Sequence, residues 1–258
     1  MSIAFSKYQG TGNDFIIIDA RSGNFNNLPV ADMCHRRFGI GADGLMLLKN
    51  RDGFDFEMVY YNSDGRMSSM CGNGGRCIAL FAHKLGLSKN GNLHFLAVDG
   101  PHHADINGNS VRLQMSDVSS CEMRETHLAV LNTGSPHYVK FIGSNPDDED
   151  LIAFAHEVRY GEEFKAAGIN VNLVQIVSSG QLKMRTYERG VENETYSCGT
   201  GVTAAAIAYN GLFDKACQRV QVSTPGGILE VDFQYQSAAW NNIYLNGPAV
   251  EVFSGIWP

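Results

Sequence analysis

One short pattern occurs twice and constrains most of what this chain can become: SMCGNGGRCIALFAHKLGL, Ser69 to Leu87, and SCGTGVTAAAIAYNGLF, Ser197 to Phe213. In each copy a cysteine opens a Gly-x-Gly turn that runs directly into an apolar helical stretch. An offset of 127 places Cys71 on Cys198, Gly72 on Gly199, Asn73 on Thr200, Gly74 on Gly201, Leu85 on Leu212 and Tyr60 on Tyr187. Slightly different offsets align GNDFIII (Gly12 to Ile18) with GSPHYVK (Gly134 to Lys140), and GIGADGLMLL (Gly39 to Leu48) with GINVNLVQIV (Gly168 to Val177), in the same order. A repeat of half the chain is too long for a solenoid unit, so it predicts a duplicated domain with a pseudo-twofold relation.

Within each half the pattern predicts strand, Gly-rich turn, helix and further strands. Ile3 to Tyr8, Phe15 to Asp19, Leu45 to Leu48 and Phe54 to Tyr61 are short β-rich runs bounded by Gly, Asn and Asp. The stretch after Cys71 is apolar nearly all round, and Val202 to Tyr209 is Ala-rich on every face. A helix without a polar stripe is buried on all sides. The expected fold is therefore α/β (α+β): two pseudo-symmetric domains, each a mixed sheet wrapped around a central helix, with the active site in the cleft between them. Gly86 and Gly211 suit helix C-termini. The 258 residues suffice for two domains of about 130 residues each. The boundary is expected near Ser116: residues 1–115 carry Cys71 and are joined by 247–258, while 116–246 carry Cys198 and open with a strand from Thr126 to Leu131. The stretch Ser144 to Leu151, SNPDDEDL, reads as a turn and N-cap into a helix over Asp150 to His156.

Twenty basic against 27 acidic side chains leave a formal charge of −7, which argues against nucleic acid and anionic membrane as partners and makes a small molecule the default. The start, MSIAFSKYQGTG, has no secretory pattern, and no apolar run approaches the ~18 residues that span a bilayer, so a cytoplasmic protein is expected. A chain of this size needs no staples, so its six cysteines, Cys34, Cys71, Cys77, Cys121, Cys198 and Cys217, are expected as thiols. Cys77 reads as core packing, and Cys34, Cys121 and Cys217 match nothing in the other half.

A chain that turns through glycines into a helix presents backbone N–H groups and about half a positive charge at the helix start. There a cysteine thiolate is favoured, with pKa values of ~3.5 to 7.5 in such settings, and the same N–H groups can hold a carboxylate. One isolated Cys-Gly-x-Gly is more simply a buried free cysteine. Two, at matched places in two halves, would face a common cleft. Inverting a stereocentre needs a base on one face of a carbon and an acid on the other, and two thiols supply both. The α-carbanion of an amino acid needs electrostatic help, which two helix ends on the α-carboxylate would give. No cofactor or metal is required in this scheme. Gly39 to Gly44 matches G-x-G-x-x-G, but before a strand rather than after one.

GNDF at Gly12, GIGADG at Gly39, YYNSDG at Tyr60, MCGNGGRC at Met70, GSPH at Gly134, YERG at Tyr187 and ETYSCGTG at Glu194 together resemble diaminopimelate epimerase, in order over nearly the whole chain. That resemblance implies a cofactor-independent, two-cysteine isomerase, commonly a homodimer, that interconverts LL- and meso-diaminopimelate in lysine and peptidoglycan precursor synthesis. It implies Cys71 and Cys198 as paired acid and base. It implies backbone N–H groups of Gly72, Asn73, Gly199 and Thr200 on the substrate carboxylate, and Asn13, Asn62 and Asn170 as polar grips. Glu188 and Arg189 would recognise substrate charges, and His137 with Glu188 would tune the thiols. Three positions depart from the pattern. Gly44 stands where many members have glutamine, so a side-chain contact is missing or replaced by water. Ser135 stands for an asparagine, and Phe253 for a tyrosine associated with the dimer contact. The alternatives are a proline racemase-like enzyme, which has no need of the Glu188 and Arg189 pair, a phenazine-biosynthesis isomerase-like enzyme, a type that lacks two matched thiols, a thiol redox or zinc-binding protein, and a thiol hydrolase with His137 as base. Zinc motifs pair ligands at C-x₂₋₄-C, and no two cysteines here are that close.

Overall fold

The structure is a computed structural model describing residues 2–23, 25, 27–68 and 70–258; Ser69, in the first copy of the repeat, lies outside the described residues. The chain divides into two compact units, Met1–Leu113 with Gly247–Pro258, and Gln114–Asn246.

In the first unit the strands pair in the order Val250–Trp257, Ile3–Gly10, Asn13–Asp19, Gly44–Lys49, Phe56–Asn62, Asn92–Ala97, Gly100–Asn107, Ser110–Gln114. Neighbours are antiparallel except for Asn13–Asp19 with Gly44–Lys49 and Phe56–Asn62 with Asn92–Ala97, which are parallel. In the second unit the order is Cys121–Glu125, Leu128–Asn132, Pro136–Ile142, Asn170–Ser178, Gln181–Glu188, Arg219–Thr224, Gly227–Gln236, Ala239–Pro248. Again the third and fourth strands are parallel, and so are the fifth and sixth. The two units thus share one sequence of pairing senses, as a duplicated mixed α/β domain should.

A parallel pair needs a crossover, and each crossover carries a helix. The first crossovers hold α1 (Val30–Cys34) and α3 (Leu151–Arg159). Asp150 caps α3 by accepting from the Ala153 N–H at 3.1 Å. A second helix crosses over in each unit, α2 (Gly72–Lys84) in the first and α4 (Gly199–Leu212) in the second. Helix α2 lies against strands on both sides of its crossover, Ile3–Gly10, Asn13–Asp19, Gly44–Lys49 and Gly100–Asn107, so the sheet curls around it. Helix α4 touches strands from Cys121–Glu125 through Gly227–Gln236 in the same way. Residues Val202 to Gly211 of α4 are all buried, which is why its sequence shows no polar stripe.

Two expectations change. Thr126 to Leu131 is not one strand. Thr126 and His127 form the turn between Cys121–Glu125 and Leu128–Asn132. The first of these is exposed from Glu122 to Glu125 and carries edge-strand charges, which hide it from a hydrophobic pattern. Gly86 lies just past the end of α2 at φ +78°, as a C-terminal glycine should, but Gly211 is inside α4, where a Cβ would lie 2.3 Å from Met123 Cε.

Asn210, fully buried in α4, ties that helix to the loop after it and to the strand Ala239–Pro248. Its amide lies within 3.2 Å of the Asp214, Lys215 and Cys217 carbonyls, and its oxygen accepts from Trp240 Nε1 at 2.8 Å. Asn210→Ala would strand an indole N–H and carbonyl groups away from water. It is expected to lower unfolding free energy by about 3 kcal/mol in denaturant titration.

Candidate functional site

The two helices begin alike. Cys71 is the N-cap of α2 with φ −114° and ψ 124°, and Cys198 is the N-cap of α4 with φ −119° and ψ 111°. Neither helix has a side-chain hydrogen bond at its cap or an acidic residue in its first turn, so neither carries, within its own first turn, a carboxylate to offset its positive end. The glycine just inside each helix is closely packed, most tightly in α4. A Cβ on Gly74 would lie 3.2 Å from Met46 Sδ and 3.5 Å from both Phe15 Cζ and Cys71 Cβ. A Cβ on Gly201 would lie 2.7 Å from Asn172 Oδ1 and 3.3 Å from both His137 Cε1 and Cys198 Cβ.

In the first unit, register gathers the polar residues at the ends of three adjacent strands: Gly44 lies beside Phe15 on one side and opposite Asn62 on the other. Asn13 Oδ1 is 3.6 Å from Cys71 Sγ and 3.5 Å from Asn73 Nδ2. The other end of the Asn13 amide donates to Asp43 Oδ2 at 2.6 Å. Arg36 reaches Asp43 at 2.6 Å and Asp14 at 2.7 Å, and Lys7 reaches Asp14 at 2.7 Å. Burial raises the Asp14 pKa, but hydrogen bonds from Arg36 and Lys7 outweigh it and hold it at about 2. Beneath Asn73 lies Arg76, wholly buried, which donates to Asn73 Oδ1 at 3.0 Å and Thr11 Oγ1 at 3.2 Å. Burial lowers the Arg76 pKa.

The Tyr60 ring stands against Gly44. A Cβ on Gly44 would sit 2.4 Å from Tyr60 Cε2 and 2.6 Å from the Tyr61 carbonyl, so Tyr60, edge-on to Phe15 at 5.9 Å, takes the space.

In the second unit, register sets His137 beside Asn170. Asn170 accepts from the Arg189 N–H at 2.9 Å and donates to Ser135 Oγ at 2.8 Å and the Pro136 carbonyl at 3.0 Å. Ser135 therefore hydrogen-bonds despite its shorter side chain, and Arg189 Nη2 comes within 3.4 Å of it. The Arg189 guanidinium also donates to the Ala167 carbonyl at 3.0 Å, passing over Gly168, whose φ is +73°. A Cβ on Gly168 would lie 2.6 Å from Arg189 Cδ. Glu188 Oε1 accepts from Thr195 Oγ1 at 2.6 Å. Thr200 Oγ1 stands between His137 Nε2 at 2.9 Å and Cys198 Sγ at 3.4 Å. Burial, with Arg189 adding to it, pushes the His137 pKa down to about 3, so His137 is neutral at physiological pH and a poor proton acceptor, against a hydrolase reading that uses it as base.

Sequence reasoning missed the residues behind these. Asp43, Arg76, Asn172 and Thr186 all support site side chains. The signals were present: an arginine inside an apolar helical run, and Asn170-Val171-Asn172 opening an apolar strand with both asparagines on one face. Burial pushes the thiols of Cys34, Cys77 and Cys121 up to about 12. Among the described residues no three His, Cys, Asp or Glu side chains converge as a metal site. No described helix is long and apolar enough to cross a membrane.

Fold and helix entrances together define a duplicated α/β protein with two cysteine-capped helices. The model of the diaminopimelate epimerase family matches residues 5–120 and 129–252. The diaminopimelate epimerase of Flavobacterium psychrophilum is 49% identical over 251 residues, covering 96% of this chain and 97% of the relative. That of Chlorobaculum tepidum is 41% identical, covering 95% and 98%. Among solved structures, a phenazine biosynthesis protein of the PhzF family from Bacillus anthracis superposes with TM-score 0.77 at 13% identity, covering 100% of this chain and 99% of that one. A hydroxyproline epimerase from Agrobacterium vitis superposes with TM-score 0.68 at 12% identity, covering 99% and 92%. These likenesses show the fold. The chain belongs to the diaminopimelate epimerase family and is an isomerase.

His137 makes the second unit acid-sensitive. Its folded pKa of about 3 lies below the ordinary value of about 6.5. Its contribution to stability is complete above about pH 6.5 and is lost as pH falls towards 3, because the unfolded chain takes a proton the native site refuses. Stability is expected to drop by roughly 3 kcal/mol between pH 7 and pH 4 from this group. His137→Gln should flatten that part of the profile in denaturant titrations at each pH.

Proposed function

We propose that this protein interconverts LL- and meso-2,6-diaminopimelate by two-base proton transfer, Cys71 and Cys198 acting on opposite faces of one α-carbon. The ionised thiol takes the α-proton, the bond's electron pair moves towards the α-carboxylate, and the other thiol delivers its proton from the opposite side. The next turnover in that direction begins once the two sulfurs have exchanged protons with solvent. The observation that carries this reading is the matched placement of the two cysteines, each capping a buried helix with no side-chain cap of its own, in a chain 49% identical to a diaminopimelate epimerase.

In this reading the N–H groups of Gly72, Asn73, Gly199 and Thr200 hold the α-carboxylate, where their dipoles favour the developing negative charge. Asn13, Asn62 and Asn170 orient amino and carboxylate groups. Arg189 offers the distant carboxylate a bidentate fork, and Glu188 offers the ammonium an anion. The Arg189 guanidinium is already held by the Ala167 carbonyl and Ser135 Oγ, so little side-chain freedom is lost on binding. The chemistry calls for no cofactor or metal. Lysine and peptidoglycan precursor synthesis is the setting such an activity serves, in the cytoplasm. A homodimer is proposed through the C-terminal strand, where Val252, Phe253 and Ile256 expose 55%, 48% and 71% of their surface and Phe253 meets Phe5 edge-on.

Cys71→Ala and Cys198→Ala should each lower the conversion of LL- to meso-diaminopimelate, monitored by chiral chromatography, by at least about 10³-fold with unfolding midpoints close to the parent's. Either variant keeping more than roughly a tenth of the parent rate, one pKa unit's worth of transition-state stabilisation, contradicts the two-base reading. Arg189→Lys should raise KM about tenfold, through loss of the bidentate contact, and leave kcat within about twofold.

A further inference from the structure

The two helix entrances have one geometry and opposite chemistry. The positions that press on Gly74 in the first unit are Phe15 and Met46; those that press on Gly201 in the second are His137 and Asn172. Filling the space beside a helix entrance therefore needs no polar atom, since Phe15 and Met46 do it, both fully buried. The polar version has to be explained by what it does to Cys198.

Donor and acceptor roles in the second unit can be assigned from groups that have no choice. The Tyr138 carbonyl only accepts, and it lies 3.0 Å from Asn172 Nδ2, which fixes the NH₂ end of that amide. Thr186 Oγ1, 3.0 Å from Asn172 Oδ1, donates to the other end. The same NH₂ lies 3.2 Å from His137 Nδ1, so Nδ1 accepts, and the neutral ring carries its proton on Nε2. Nε2 is 2.9 Å from Thr200 Oγ1 and donates to it. The Asn170 amide, 3.4 Å from Nε2, has closer acceptors in Ser135 Oγ and the Pro136 carbonyl. With its oxygen occupied as an acceptor, the Thr200 hydroxyl turns its own proton to Cys198 Sγ, 3.4 Å away.

We infer that Asn172 is a positioning residue for the reaction, fixing the His137 tautomer so that Thr200 donates a hydrogen bond to the Cys198 sulfur whenever that sulfur is a thiolate. This rests on the two-thiol reading above and extends it to a chain Thr186, Asn172, His137, Thr200, Cys198; near Cys71 the amide oxygen of Asn13 lies at 3.6 Å. Ionisable side chains on the strands beside this entrance include His137 on Pro136–Ile142, and Glu188, with Arg189 next to it, at the end of Gln181–Glu188; the strands packed against α4 further along carry Glu122, Arg124, Glu125, Arg219, Glu230 and Asp232. Asn170–Ser178 carries no ionisable side chain, and α4 has no acidic residue in its first turn.

The test is the pH dependence of iodoacetamide alkylation at the Cys198 peptide, read by mass spectrometry in the Cys71→Ala protein; the midpoint reports the thiolate whatever the accessibility of the sulfur. Thr200→Val should raise the midpoint by about one pH unit, since a hydrogen bond to a charged group is worth about tenfold or more in the equilibrium. Thr200→Ser should restore it. Asn172→Asp, whose carboxylate draws the His137 proton to Nδ1, should raise the midpoint similarly, and should add little once Thr200 is valine. An unchanged midpoint in Thr200→Val overturns the proposal, and so does an Asn172→Asp shift of equal size in the valine background, which would mark a direct charge effect. Diaminopimelate turnover by the single cysteine variants tests the two-thiol reading separately, so the two can fail independently.

Discussion

A helix buried on every side has to be entered by a backbone with little room for side chains at its glycine positions, and the chemistry of this protein derives from that restriction. At Gly201 a Cβ would meet Asn172 at 2.7 Å, and at Gly74 it would meet Met46 at 3.2 Å. At each entrance, glycine brings a helix N-terminus, strand ends and a capping cysteine into one small space. A serine, threonine or aspartate at the cap would fold its oxygen back onto the helix's own N–H groups. Cysteine does not do so at either entrance, which leaves the positive end of the dipole to act on the thiolate and on a bound carboxylate. Burial raises the local electrostatic stakes as well, because charges and dipoles there are poorly screened.

Duplication supplied this device twice, and the copies have diverged around it. The first unit backs its cysteine with Asn13, an ion-paired group of Asp14, Asp43, Arg36 and Lys7, and the buried Arg76. The second backs its cysteine with the neutral His137 and an array of hydroxyl and amide groups. A stereoinverting enzyme needs one thiol ionised while the other is protonated, and two identical surroundings would bias neither. The different backing of two matched helices is the physical means by which such a bias can arise.

Much of this was legible because the strongest sequence signals are the ones burial imposes. The all-round apolar runs after Cys71 and Cys198 mark α2 and α4 since nothing but a wrapped helix tolerates them, and the Gly-x-Gly turns mark their entrances. What was lost is what burial does not write. The strand Cys121–Glu125 carries alternating charges at an exposed edge, and its pattern resembles a loop. Gly211 is there for Met123 and Trp240 packing against it, a contact no local sequence reveals. The alignment of Gly39 to Leu48 with Gly168 to Val177 sets Gly44 on Leu173, whereas the ladders place Gly44 beside Phe15 and Asn170 beside His137, a difference of three residues that only pairing register shows. Side chains that touch the sulfurs were found through the motif; those that orient them, such as Asn172 and Asp43, come from strand faces and loops whose meeting is a property of the fold.

The central claim is that two groups on opposite faces of one carbon share the proton transfer, and early-conversion isotope labelling in heavy water tests it most directly. Starting from unlabelled LL-diaminopimelate, the meso product should carry one deuterium, at the inverted carbon, while recovered LL substrate stays essentially unlabelled. Product that keeps the original proton, or recovered substrate labelled as fast as product forms, would contradict the account, because a single shared base returns protons to either face.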